Sequence, residues 1–152
     1  MVKMMKAQIE DAPILLQIQK EAFIKYAKKY GDFESNPYHM DLHRMEFNIK
    51  YRYGQYYKIL DEKSLEMIGG IFCFELDEKP IMKIAQFYFK NGYQHLGYGT
   101  YVLNELFRLN ENVKTWYVDT IMQEEYNLEF YRHLGLSLIH ISEPTRPEPT
   151  SY

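Results

Sequence analysis

The 152-residue chain holds a single cysteine, Cys73, so no disulfide framework can staple it. Cys73 sits in an apolar run and reads as a core residue rather than a nucleophile. Nowhere do about 18 apolar residues follow one another as a membrane span needs, and Met1-Val2-Lys3-Met4-Met5-Lys6 lacks the apolar stretch of a secretory leader. An excess of positive charge is missing too. Lys plus Arg number 18 against 21 Asp plus Glu, a net charge of -3 with no general attraction for nucleic-acid phosphates. A cytoplasmic protein without membrane or nucleic-acid partners is expected. His39 and His43 share a helical i, i+4 face, but no third ligand stands in register, so no metal is expected.

What is present fits one α/β domain over residues 1–141. Lys3 to Ile9 reads as a strand. Asp11-Ala12-Pro13 reads as a cap followed by a first-turn proline, and Ile14, Leu15, Ile18, Ala22 and Phe23 recur at helical spacing, predicting a helix from Ala12 to Tyr30. A weaker helical pattern covers Tyr38 to Tyr53. Tyr56 to Leu60, Leu65 to Glu75 and Ile81 to Phe89 read as strands, the last two antiparallel around the turn Asp77-Glu78-Lys79-Pro80. A helix with Tyr98, Val102, Leu106 and Leu109 on its apolar side follows, then the strand Thr115 to Thr120 and a helix from Glu124 to Leu134. Tyr51, Tyr53, Tyr56 and Tyr57 are expected at element edges, half buried, with a ligand groove as the other reading. Residues 142–152 carry three of the six prolines and read as a disordered tail, foreign to a native strand pattern.

The chemistry gathers at "YQHLGYGT", residues 93–100, between a strand and a helix. The first amides of a helix lack main-chain partners, the helix dipole adds positive charge there, and Gly97 and Gly99 let the backbone approach a bulky anion. The spacing is that of neither a P-loop nor a Rossmann fingerprint.

Gln94-x-x-Gly97-x-Gly99 resembles the acyl-CoA signature of the GNAT (GCN5-related N-acetyltransferase) superfamily. The resemblance extends to Glu21-Ala22-Phe23, to Ile68-Gly69-Gly70-Ile71, and to "WYVDT" with Asn127-Leu128-Glu129-Phe130-Tyr131-Arg132-His133-Leu134-Gly135, together spanning most of the chain. It implies a mixed central sheet flanked by helices, here with the closing C-terminal strand or strands incomplete. It also implies an N-acetyltransferase that uses acetyl-CoA as co-substrate and moves the acetyl group directly to a primary amine of a small molecule, amino acid or peptide. By position, Gln94, His95, Leu96, Gly97, Tyr98, Gly99 and Thr100 would hold the pyrophosphate, and Asn127 would touch the cofactor. The pantetheine arm would lie as an extra strand against the backbone of Phe87, Tyr88 and Phe89.

Tyr131 matches the family's general acid on the last helix, and Asp119 an acidic position that acts through water in some relatives. Both side chains also fit structural roles, Tyr131 on a half-buried helix face and Asp119 as a turn cap. Leu96 stands where relatives usually carry a basic residue. A second reading is an acyl-CoA-binding or interaction module without transfer activity. Family members often pair through sheet edges, so a homodimer is among the expectations.

Overall fold

The computed structural model describes residues 1–30, 40–76, 81–94, 96–113 and 115–118, and for 25–30 the main chain only. Strand β1 (Val2–Lys6) leads through a 3-10 turn (Ile9–Asp11) into helix α1 (Ala12–Tyr30); helix α2 (Leu42–Lys50) follows. Strands β2 (Gly54–Asp61), β3 (Met67–Glu75) and β4 (Ile81–Phe89), helix α3 (Tyr98–Leu109) and strand β5 (Thr115–Val118) complete the described elements. The five strands form one mixed sheet in the order β1-β2-β3-β4-β5, antiparallel except for the parallel β4–β5 pair.

Local chemistry explains where elements begin, and where they differ from the sequence reading. Strand β1 stops at Lys6, so Ile9 belongs to the 3-10 turn. There Asp11 accepts the Gln8 N–H at 2.8 Å and pairs with Lys58 at 2.9 Å, tying the turn to β2 instead of capping α1. Helix α2 is shorter than the pattern suggested because Asp41 caps it, accepting the Arg44 N–H at 2.8 Å. Strand β3 starts at Met67, since Leu65 takes a positive φ of 63° in the turn before it. On α3, Val102, Leu103 and Leu106 are buried, whereas Leu109 is exposed. The turn at residues 77–80, the strand end at 119–120, the helix read at Glu124 to Leu134 and the tail lie outside the described residues.

A bulge in β4 decides which side chains meet which helix. Phe72 pairs with Gln86 but Cys73 pairs with Ile84, which leaves Ala85 as the extra residue. Met82 and Ile84 before it, and Phe87 and Phe89 after it, consequently share the face covered by α3, where Phe89 meets the Tyr98 ring at 6.4 Å. Lys83, Gln86 and Tyr88 share the opposite face, where α1 lies and Phe23 meets Tyr88 edge-on at 6.3 Å.

On that second face Tyr56, which the sequence reading placed half buried at an edge, is 2% exposed and stacks on Phe72. Its hydroxyl shares a 2.5 Å hydrogen bond with that of Tyr88. Room for the Tyr88 ring comes from Gly70, where a Cβ would stand 2.5 Å from the phenol oxygen and 2.8 Å from Cζ. Burial, then the neighbouring Tyr56 hydroxyl, pushes the Tyr88 phenol well above the ordinary tyrosine value.

Gly70→Ala is expected to cost about 1–3 kcal/mol of unfolding free energy in urea titration, because the buried ring it strikes has nowhere to go. A phenol held neutral stabilises the fold fully below the ordinary tyrosine pKa of about 10, and that contribution is lost as pH rises through the higher folded-state value. Stability should therefore fall from about pH 10 upward. Tyr88→Phe should lose about 1 kcal/mol at pH 7 and decline less steeply than the parent between about pH 10 and 11, as read by the same unfolding assay.

Candidate active site

Strand β4 and its exit toward α3 carry the site. Among the described residues, β4 pairs in parallel with β5 over Ile81–Ile84, and with β3 along its length apart from the bulged Ala85. Phe87, Tyr88 and Phe89 are 0–2% exposed, so their side chains belong to the core and only their main chain is placed to meet a ligand.

The chain leaves β4 through a turn closed by the Tyr93 N–H on the Lys90 carbonyl at 3.0 Å. Lys90 is held from both ends: its amide donates to the Ile68 carbonyl at 2.7 Å and its ammonium pairs with Glu66 at 2.6 Å. Gln94 then turns its side chain back, donating from Nε2 to the Phe89 carbonyl at 3.1 Å. That bond pins the turn to the end of the strand.

Gly97 starts α3 from the left-handed region, at φ 84° and ψ -2°. A side chain there would be strained, although no described atom lies within 4 Å of where its Cβ would stand. Among the described residues no side chain caps α3 and no acidic residue occupies its first turn, so the amides of Tyr98, Gly99 and Thr100 meet no competing acceptor from a cap. Gly99 is buried, Thr100 is half-buried and Leu96 is exposed at the rim. Such a helix start could cradle an anion, for instance a pyrophosphate, through its main-chain amides.

Beside the cradle, a groove of about 500 Å³ runs along α1 past Leu16, Lys20, Glu21 and Ile24 to Asn91. A smaller cavity at the far end of the sheet is filled at its rim by the mutual amide hydrogen bonds of Gln55 and Asn110, at 2.7 and 3.2 Å.

The structure thus brings together Phe87, Tyr88, Phe89, Gln94, Leu96, Gly97, Tyr98, Gly99 and Thr100 along one continuous path. His95, Asp119, Asn127 and Tyr131 lie outside the described residues, as does His39. Among the described residues, no three His, Cys, Asp or Glu side chains group as metal ligands, and no helix is long and apolar enough to cross a membrane. Cys73 is buried, and desolvation pushes its thiol far up, which makes it inert. One polar side chain of β4 escaped the sequence reading. Gln86 is 9% exposed and its Oε1 is buried without a hydrogen-bond partner. A polar residue inside a largely apolar strand was the available signal.

Comparison with known proteins agrees with this geometry. The model of the acetyltransferase (GNAT) family matches residues 15–136. No curated protein sequence matches. A tetramutant of the BH1408 protein from Bacillus halodurans is similar in structure with a TM-score of 0.72 at 14% identity, over 97% of this chain and 99% of that one. An aminoglycoside acetyltransferase from an uncultured soil metagenomic sample, solved with sisomicin, gives 0.65 at 14% identity over 95% and 97%. The PaiA N-acetyltransferase of Thermoplasma acidophilum, solved with coenzyme A, gives 0.64 at 16% identity over 88% of both chains. At these identities the structural likeness shows the fold. With the family match over four fifths of its length, the chain belongs to the GNAT acetyltransferase family.

Proposed function

We propose that the protein is an acetyl-CoA-dependent N-acetyltransferase that passes the acetyl group directly to a primary amine. The observation that carries this reading is the start of α3 behind the left-handed Gly97, where no described side chain caps the helix, joined by a short turn to the end of β4. Its two parts suit the two parts of one ligand, an extended amide-bearing arm and a pyrophosphate. The relative solved with coenzyme A and the relative solved with the polyamine sisomicin support the same pair of substrates.

The cofactor supplies an acetyl thioester. Gly97 to Thr100 bind its phosphates through backbone amides, and Gln94 keeps those amides in register with the strand. An amide of Phe87–Phe89 polarises the thioester carbonyl. An alkylammonium has a pKa of about 10.4 and a thiol about 8.5, so both ends of the reaction need help with a proton near neutral pH. In this reading Asp119 receives the amine proton through water, and Tyr131 gives its phenolic proton to the departing thiolate. The new C–N bond replaces the C–S bond, with no covalent enzyme adduct. Asn127 and His95 contact the cofactor, and the acceptor is a small-molecule or peptide amine.

Calorimetric titration should give micromolar binding of acetyl-CoA and none of ATP, and absence of acetyl-CoA binding would refute the reading. Gly97→Ala should weaken acetyl-CoA about ten- to hundredfold, the worth of one charge-assisted hydrogen bond, because the strained residue re-aims the following amides. Tyr131→Phe should lower kcat about a hundredfold, the low end for a general acid, and leave that affinity within about twofold. An unchanged rate would leave a binding module rather than a transferase.

A further inference from the structure

We propose that Met40 is a site of reversible oxidation, whose sulfoxide oxygen takes hydrogen bonds from Gln19 and Asn48 and so ties helix α2 to helix α1. The observations behind it are independent of the acetyl-transfer reading.

Met40 stands immediately before Asp41, the cap of α2, and is half-buried against the core. Its sulfur is a meeting point of the two helices. Gln19 of α1 donates from Nε2 to the Met40 Sδ at 3.4 Å, and Asn48 of α2 donates from Nδ2 to the same atom at 3.8 Å. Gln19 and Asn48 are 0% and 1% exposed. Two buried amides from different helices thus converge on one thioether.

The donors are better than the acceptor they have. A thioether is a weak acceptor, and a buried N–H aimed at one recovers only part of what it gave up on leaving water. Oxidation of a core methionine ordinarily disrupts packing, because it sets a polar oxygen among apolar atoms. Here the new oxygen meets two N–H donors already directed at the sulfur, and it stands one bond nearer to them than the sulfur does.

The oxidant is a peroxide. A sulfur lone pair attacks one oxygen of hydrogen peroxide, the S–O bond forms as the O–O bond breaks, and the second oxygen leaves as water. Sulfur gives up two electrons and the peroxide takes them. Negative charge builds on the arriving oxygen, where the two amides stabilise it. Half-buried Met40 is open to peroxide in a way that Met45 and Met82, at 0% and 3% exposure, are not. The sulfoxide sulfur is a stereocentre, so donors fixed on one side select one epimer, and a methionine sulfoxide reductase specific for that epimer restores the thioether.

The test titrates the full chain with hydrogen peroxide and maps its eight methionines by mass spectrometry after digestion, with half-buried Met4 and Met67 as internal comparisons. Met40 should carry one added oxygen by the point at which Met4 and Met67 are fully converted. Its peptide should hold one sulfoxide epimer in about tenfold excess, the worth of one net hydrogen bond, resolved by chromatography and by epimer-specific reductases. Melting temperatures are then compared before and after peroxide for the parent and for Met40→Leu, which share the oxidation of every other methionine. The parent should lose fewer degrees than Met40→Leu. Met40 left unoxidised when Met4 and Met67 are converted, equal epimers at Met40, or a parent that loses as many degrees as Met40→Leu would each overturn the assignment.

Discussion

Everything in this site depends on one extra residue in β4. Without the Ala85 bulge, strict alternation would put Lys83, Ala85, Phe87 and Phe89 on one face, and Gln86 and Tyr88 would join Met82 and Ile84 on the other. With it, Phe87 and Phe89 turn to α3 and Tyr88 turns to Tyr56 and Phe23. The bulge therefore reconciles two demands. The start of β4 must pair with β5 in parallel, and the side chains all along the strand must fill both halves of the core.

The packing around β4 is correspondingly tight. Gly69 and Gly70 on β3 face the last residues of β4 so closely that a Cβ would come within 2.4 Å of the Tyr88 carbonyl in one case and 2.5 Å of its hydroxyl in the other. Two adjacent glycines thus admit a large aromatic residue on one face and a close strand approach on the other. The tyrosine pair, buried and hydrogen-bonded, stiffens β4 from beneath.

Periodicity, caps and glycine placement in the sequence alone were sufficient for the order of the described strands and helices, with Ala12–Tyr30 and Ile81–Phe89 bounded correctly, because these signals act over a few residues. The glycine motif marked the strand-to-helix junction for the same reason: a positive φ at Gly97 is a local demand. The limits of the shorter elements went astray where a side chain chose a partner that pattern cannot reveal, as when Asp11 turned to Gln8 and Lys58 and Asp41 capped α2. Burial of Tyr56, the room made by Gly70 and the facing of Gln86 were legible only in three dimensions. Each follows from register between strands far apart in the chain, and a one-residue bulge reverses that register's faces while leaving the composition of the strand unchanged.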